Sequence, residues 1–256
     1  MTSAIYPSLA DKHVLVTGGG SGIGAAMVQA FARQGARVVL LDIADEDAQA
    51  LVASLADAVH VPRYLHCDLC DLDALQATLQ RIEQGDGPIQ VLINNAANDD
   101  RHLPEAVTPD YWENRMAVNL RHQFFCAQAV AQGLRQAGQG GVILNMGSIS
   151  WHVALPQLSL YMTAKAAIEG MTRGLARDFG GDGIRVNCIV PGAVRTPRQM
   201  KLWQSPDSEA KLVAAQCLPL HIEPAHVAAM ALFLASDDAA RCTGREYHVD
   251  AGWFGG

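Results

Sequence analysis

Apolar, strand-like segments alternate with segments of helical periodicity along the whole of this 256-residue chain. The strand-like segments, of which residues 37–41 and 89–93 are examples, are mostly apolar instead of alternating between apolar and polar positions. Strands of this kind are buried on both faces, as in a parallel sheet that helices cover on each side. The pattern therefore predicts an α/β fold in which residues 1–256 form a single-domain doubly wound parallel sheet of about seven strands.

The composition narrows the classes of function. Hydrophobic residues make up 50% of the chain and charged residues 18%, and the formal net charge of −7 comes without a basic cluster. We therefore expect no nucleic-acid partner. No apolar run approaches the ~20 residues of a membrane span, and the first eight residues lack the charged and apolar regions of a secretory signal. These features predict a cytoplasmic protein with no membrane partner.

Six cysteines are scattered through the sequence, as is usual for reduced thiols inside the cell. Cys67 and Cys70 have the spacing of a metal knuckle, but no second cysteine pair or histidine pair completes a site. We therefore expect no metal.

A glycine-rich segment, Thr17-Gly-Gly-Gly-Ser-Gly-Ile-Gly24, follows the first strand-like segment and opens a helical one. Glycines there let the backbone approach a pyrophosphate, and the helix N-terminus offers free N–H groups, as in Rossmann-type dinucleotide sites. Asp42 ends the second strand-like segment, where a carboxylate accepts both adenosine ribose hydroxyls and repels a 2′-phosphate. The sequence therefore predicts NAD, in preference to NADP, bound by Gly18, Ser21, Gly22, Ile23, Gly24 and Asp42.

Polar and small residues also end the next two strand-like segments. Asp68, beside Leu69, is placed to hydrogen-bond the adenine amino group or to cap the following helix, and the residues leave both roles open. Asn95 and Ala96 follow the fourth segment, where a dinucleotide would cross the strand ends.

Tyr161 and Lys165 stand four residues apart and therefore on one face of a predicted helix. A free tyrosine has a pKa near ~10, so a tyrosine base at neutral pH needs a nearby positive charge. We predict that Lys165 and a nicotinamide cation lower the pKa of Tyr161. Asn119 is an amide inside a predicted helix over residues 108–136, where it is either structural or holds a water against Lys165.

Taken in order, these motifs and Met-Gly-Ser148-Ile, Val-Asn119-Leu and Val-Pro191-Gly192-x-x-x-Thr196 resemble those of the short-chain dehydrogenase/reductase family. The one departure is Ala97, where the family most often has glycine. The resemblance implies a homotetramer and catalytic roles for Asn119, Ser148, Tyr161 and Lys165. It implies further dinucleotide contacts from Tyr161, Lys165, Pro191, Gly192, Val194 and Thr196.

Within that family, residues 95–102, 119–122, 147–152, 214–218 and 242–247 resemble those of the bacterial NAD-dependent aldose 1-dehydrogenases. This resemblance implies an oxidoreductase that transfers a hydride from C1 of an aldopyranose to NAD+ and gives the lactone. The sugar would be a pentose or a 6-deoxyhexose, D-xylose-like. We expect residues 194–220 to act as a substrate lid. The predicted substrate contacts are Asn98, Asp99, Ser148, Ser150, His152, Tyr161, Arg198 and Trp203.

Three other functions fit the same motifs. An NAD-dependent dehydrogenase of a sugar-derived acid would use Arg101, Arg195 or Arg198 to bind a carboxylate. An acyl-carrier-type carbonyl reductase would need an apolar trough. A nucleotide-sensing scaffold has no need of a base, so the intact Ser–Tyr–Lys set argues against it.

Overall fold

The computed structural model describes residues 4–202 and 205–255. Within them, seven parallel strands form one sheet in the order β3-β2-β1-β4-β5-β6-β7. This sheet confirms the predicted α/β class. The strands are β1 (His13–Thr17), β2 (Arg37–Asp42), β3 (Arg63–His66), β4 (Val91–Asn94), β5 (Gly141–Met146), β6 (Ile184–Pro191) and β7 (Glu246–Val249).

Helices cover the sheet on both faces. They are α1 (Gly22–Arg33), α2 (Asp45–Ala53), α3 (Leu72–Asp86), α4 (Pro109–Met116), α5 (His122–Gln136), α6 (Ile149–His152), α7 (Ser159–Phe179), α8 (Pro197–Leu202), α9 (Pro206–Ala214) and α10 (Pro224–Ala235). No described helix has the length and apolarity that crossing a membrane requires.

The alternation of side chains along the strands divides the core into two layers. Val16 of β1 points to one face, where it packs with Phe31 of α1 and Leu232 of α10. Its neighbour Leu15 points to the other face and joins the cluster of Leu79 and Val130 from α3 and α5. Burial on both faces explains why the strands are apolar at nearly every position.

The predicted helix over residues 108–136 is interrupted in the structure. A π-helical turn, Ala117–Arg121, joins α4 to α5. Asn119 lies fully buried within this turn, and its Nδ2 donates to the carbonyl of Arg115 at 3.1 Å. π-turns inside helices are frequent at functional sites. The interruption therefore marks the segment that the sequence had singled out through its buried amide.

The strand order places the candidate site. The chain runs outward from β1 to β3 and then returns to β4 on the other side of β1, so a crevice opens where the order reverses. All strands are parallel, so the residues that follow them meet at one edge of the sheet. Two short helices, α8 and α9, lie in the predicted lid of residues 194–220, while Trp203 lies outside the described residues.

Candidate active site

A cavity of about 830 Å³ lies at the carboxyl edge of the sheet. It brings together every residue that the sequence predicts to bind a dinucleotide. These residues are Gly18, Ser21, Gly22, Ile23, Gly24, Asp42, Asp68, Leu69, Asn95, Ala96, Tyr161, Lys165, Pro191, Gly192, Val194 and Thr196. Lining the cavity places them together, and their contact with a dinucleotide remains a prediction.

The glycine loop has the shape that a pyrophosphate requires. Gly18 has a φ of +62°, a conformation that L side chains rarely adopt. A Cβ at Gly24 would lie 2.0 Å from the carbonyl oxygen of Gly18, so the loop closes only without that side chain. The Ser21 side chain does not cap α1, which leaves the first N–H groups of the helix facing the cavity.

Backbone N–H groups fix the Asp42 carboxylate at the cavity wall. Its Oδ2 accepts from Gly20 at 2.7 Å, and its Oδ1 accepts from Ile43 at 2.8 Å and from Ala44 at 3.0 Å. The second carboxylate at this end is Asp68, whose Oδ1 accepts from the N–H of Cys70. Asp71 caps α3, so the structure excludes one of the two roles predicted for Asp68, that of the helix cap.

Asn95 ties the end of β4 to the glycine loop. Its Nδ2 donates to the carbonyls of Thr17 at 3.0 Å and Gly18 at 2.9 Å, and its N–H donates to the Thr17 hydroxyl. Behind it, the buried Asn94 donates to Asn145 of β5 at 2.9 Å. These amides join three strands at the point where the cavity opens.

Tyr161 and Lys165 lie one turn apart on α7, and both line the cavity with Ser148. The Lys165 ammonium lies 5.4 Å from the centre of the Tyr161 ring and donates to the Met146 carbonyl at 2.7 Å. Lys165 is only 1% exposed, and burial lowers its pKa to about 8.

The prediction that Lys165 lowers the pKa of Tyr161 needs a correction. Burial instead raises the pKa of the phenol above its ordinary value, and the negative charge of Asp99 adds to the rise. A hydrogen bond with Ser148 opposes it. The ammonium is directed at a carbonyl rather than at the phenol, so the chain's own groups do not offset the burial of Tyr161.

Asn119 does not line the cavity, although the family resemblance implies a catalytic role for it. Its Oδ1 accepts from the backbone N–H of Asn98 at 2.8 Å, while its Nδ2 is held by Arg115. Both ends of the amide are therefore taken up by backbone. The geometry gives Asn119 a positioning role, because it holds the loop that places Asn98 on the cavity wall.

Most of the predicted substrate residues do meet beside Tyr161. Asn98, Asp99, Ser150 and Arg198 all line the cavity. Arg198 donates to the Asp99 carboxylate at 3.3 Å and to that of Asp100 at 2.7 Å, which ties α8 to the loop after β4. The Ser150 hydroxyl is buried without a hydrogen-bond partner among the described residues. A buried hydroxyl of this kind is suited to a polar ligand group.

The structure does not place His152 with them. Its ring packs between Trp151 and Phe254, behind the cavity wall, and its Nε2 donates to the buried carboxylate of Glu169 at 3.0 Å. Trp151 donates to the same oxygen at 2.9 Å. Glu169 follows Lys165 by one turn of α7, so this cluster joins the segment after Ser148 to that helix. The other predicted contact, Trp203, lies outside the described residues.

Several residues on the wall were missed by sequence reasoning. Trp253 follows β7, and the rule that located the other strand ends would have pointed to it. Gln199, Ser208, Lys211 and Leu212 lie within the predicted lid of residues 194–220, although none of them was singled out there. Leu155 and Leu158 have no signal in the sequence, because a short loop brings them to the cavity.

Among the described residues, no cluster of three or more histidine, cysteine, aspartate or glutamate side chains could hold a metal ion. Cys67 is buried and Cys70 is half-buried, both as free thiols. Burial raises the pKa of each thiol, which disfavours the thiolate that a metal would need.

Comparison with known proteins extends over nearly the whole chain. A family model described as enoyl-(acyl carrier protein) reductase matches residues 18–254. A D-xylose 1-dehydrogenase of Caulobacter vibrioides is 58% identical over 253 residues, which cover 99% of this chain and 100% of that protein. A probable galactose dehydrogenase of Rhizobium meliloti is 44% identical over 255 residues, or 99% of each chain.

A solved structure agrees in fold. The crystal structure of a blue fluorescent protein from a metagenomic library, in complex with NADPH, is 34% identical and has a TM-score of 0.86. The match covers 96% of this chain and 99% of that one. The range matched by the family model, residues 18–254, includes Gly18–Gly24, Asp42, Asp68 and the Ser–Tyr–Lys set.

Proposed function

The chain belongs to the short-chain dehydrogenase/reductase family, and we propose that it oxidises an aldopyranose at the anomeric carbon with NAD+ as the hydride acceptor. The observation that supports this proposal best is the meeting of Ser148, Tyr161 and Lys165 with a polar wall in one cavity. The D-xylose 1-dehydrogenase at 58% identity makes a pentose or a 6-deoxyhexose the first choice of sugar, with the lactone as product.

In the proposed reaction, the Tyr161 phenolate removes the proton from the anomeric hydroxyl. Ser148 donates a hydrogen bond to the same oxygen and steadies its charge as the C1–O bond becomes double. Bound NAD+ would supply the hydride acceptor for C1 and a positive charge that favours the phenolate, which burial disfavours. The Lys165 ammonium, beside the Tyr161 ring, adds a second positive charge to the site.

Of the three arginines that would hold the carboxylate of a sugar acid, Arg101 lines the cavity, whereas the other two are paired with carboxylates. Arg195, one of the cations that would hold a carboxylate, lies outside the cavity and pairs with Glu209 at 3.1 Å and Glu223 at 3.4 Å. Arg198 is neutralised by Asp99 and Asp100. Asp99 lines the cavity and would repel a second carboxylate beside Tyr161. A neutral sugar ring carries no charge for Asp99 to repel.

A turnover assay tests the proposal. The purified protein is offered NAD+ with a panel of neutral aldoses, sugar-derived acids and acyl thioesters, and lactone release is followed along with reduction of the cofactor. We expect turnover on a pentose or a 6-deoxyhexose. Oxidation of a deoxy sugar acid with inert neutral aldoses would disprove the aldose assignment and leave the oxidoreductase class intact.

The choice of NAD over NADP is predicted to rest on Asp42. At the end of the cavity where we propose that the adenosine binds, the described wall offers two carboxylates, Asp42 and Asp68, and no lysine or arginine. A 2′-phosphate would therefore be repelled there. We expect at least a tenfold preference for NAD in kcat/KM, about 1.4 kcal/mol. The Asp42→Ala variant should prefer NAD less strongly in kcat/KM. A double variant that also carries Ile43→Arg should use NADP as well. Equal use of both cofactors by the wild type would refute the assignment.

We propose that the protein assembles as a homotetramer through α7. Ala164, one of the small residues on this helix, is buried within the subunit, but Gly170 and Gly174 are exposed, and a Cβ at either would have nothing within 4 Å. Gly174→Arg should therefore weaken assembly in light scattering without disturbing the subunit. Gly85→Arg, at an equally open position on α3, is the control. A wild type that is monomeric at micromolar concentration overturns the proposal.

We propose a cytoplasmic location from the cysteines. All six are free thiols, including the exposed Cys217, and reducing compartments maintain thiols in that state. Fractionation of the host cell with a periplasmic marker enzyme as reference tests this location.

A further inference from the structure

Residues 250–254 form a tight turn after β7, here called the post-β7 turn, and they bring Trp253 to the cavity wall. Asp250, which is 5% exposed, builds the turn with its own carboxylate. Its Oδ1 accepts from the N–H of Gly252 at 3.0 Å, and its Oδ2 accepts from the N–H of Phe254 at 2.9 Å. The side chain of Asp250 therefore fixes the residues on both sides of Trp253.

Neighbouring segments hold this turn from three directions. At the end of β6, a Cβ on Gly192 would lie 2.7 Å from the Cα of Asp250. Gly252 has a φ of +77°, and its Cβ would lie 2.8 Å from the Cβ of Cys217. Leu218 donates to the carbonyl of Ala251 at 3.0 Å. These contacts fix the position of the turn and therefore that of Trp253.

The third support is the cluster behind the Ser148 segment. The Phe254 ring lies 4.5 Å from the His152 ring and 5.7 Å from the His248 ring. His152 is in turn held by Glu169 of the catalytic helix. The same helix that positions Lys165 therefore supports the turn that presents Trp253.

The sheet places Trp253 at the end of the cavity where Tyr161 stands. β7 is five strands away from β2, whose last residue is Asp42. At about 4.8 Å between strands, the two sheet positions are ~24 Å apart. An indole on the post-β7 turn is therefore far from the adenosine end that Asp42 marks.

We propose that Trp253 is the aromatic platform on which the sugar ring rests, an inference that depends on the proposed aldose oxidation. A pyranose has a rim of hydroxyl groups and a face of C–H groups. Asn98, Asp99 and Ser150 offer hydrogen bonds to the rim, and the indole buries the face. Asp250 and His152 are positioning residues, which act through the turn.

The test compares Trp253→Ala and Trp253→Phe with the same exchanges at Trp112, which is 42% exposed on α4 and lies outside the described cavity wall. We expect Trp253→Ala to raise KM for the aldose about tenfold, with a smaller rise for Trp253→Phe and an unchanged dissociation constant for NAD. The Trp112 variants should match the wild type. In a Tyr161→Phe background, where turnover is blocked, calorimetry should show the same loss of sugar affinity.

If Trp253 recognises the sugar and does not only stabilise the fold, its replacement should also change the selectivity between sugars. The ratio of kcat/KM between D-xylose and its C4 epimer L-arabinose should change several-fold in Trp253→Phe, which keeps a ring in the turn. If the wild type oxidises aldoses and the Trp253 variants keep its KM within twofold and its epimer ratio, the platform is disproved and the function stands. A wild type that oxidises no aldose removes the proposed function and the platform together.

Discussion

Replacing Tyr161 by Phe should reduce turnover by about two to four orders of magnitude, the usual worth of a general base. The ring of the new side chain keeps its packing on α7, while the phenol that takes the substrate proton is lost. The dissociation constant for NAD should stay close to that of the wild type, because the glycine loop and Asp42 are untouched. Stopped-flow turnover and a cofactor titration measure the two quantities. Near-normal turnover in the variant would remove Tyr161 from the mechanism.

The pH dependence makes this prediction sharper. In the protein's own electrostatic environment, burial and Asp99 raise the pKa of Tyr161, so the phenol is neutral at pH 7. Activity should rise with pH and level off as the phenol ionises, with a midpoint that a bound nicotinamide cation moves downward. Ultraviolet difference titration of wild type against Tyr161→Phe, with and without NAD+, reports the phenolate directly. A midpoint that NAD+ leaves unmoved would contradict this account.

The sequence correctly predicts that the proposed dinucleotide residues come together, because the physics there is local. Apolar segments locate the strands, parallel strands share a carboxyl edge, and polar residues directly after them must therefore meet. Asp42, Asp68 and Asn95 were found in this way, and all three line the cavity. Tyr161 and Lys165 follow from helical spacing, which brings two side chains four residues apart to one face, taken together with the glycine-rich segment upstream.

The part of the cavity where we propose that the sugar binds depends on contacts that spacing does not encode. His152 stands four residues after Ser148, but it turns away from the cavity because Glu169, on another helix, offers it a buried carboxylate. Trp253 reaches the cavity only because Asp250 folds the post-β7 turn back on itself. For His152 the partner is on another helix, and for Trp253 it is a buried carboxylate three residues earlier, so residue spacing alone gives the direction of neither side chain.

The pKa of Tyr161 shows a third kind of limit. The one-turn spacing correctly brings an ammonium near the phenol, yet the outcome depends on how much water burial removes from both groups. Lys165 is 1% exposed and points its protons at the Met146 carbonyl, so burial outweighs its attraction for the phenolate. Burial is a property of the folded structure, and residue spacing alone does not give its magnitude.

Replacing Lys165 by Met should separate activity from stability. The exchange keeps a straight side chain in the buried position and removes the ammonium beside Tyr161. We expect kcat to fall by about two to three orders of magnitude, the effect of losing one preorganised electrostatic contact. Lys12→Met, at a half-buried position on the opposite edge of the sheet, controls for the loss of a lysine. Turnover within threefold of the wild type in Lys165→Met would contradict the assigned role.

The Lys165→Met exchange should increase the stability of the folded protein, by an amount that depends on pH. The pKa of Lys165 is about 8 in the folded protein against an ordinary 10.5, so the unfolded chain binds more protons between these values. Stability of the wild type therefore rises with pH across this window, and the cost of burying the ammonium, about 3 kcal/mol at ~1.4 kcal/mol per pKa unit, is fully present below pH 8. Lys165→Met lacks this cost, so its unfolding free energy relative to the wild type should be highest at pH 7 and should drop by about that amount towards pH 10.5. Denaturant unfolding of both proteins at pH 7, 8.5 and 10 measures the difference. A difference that does not change with pH would mean that folding leaves the pKa of Lys165 at its ordinary value, and it would contradict the cost assigned to burying the ammonium.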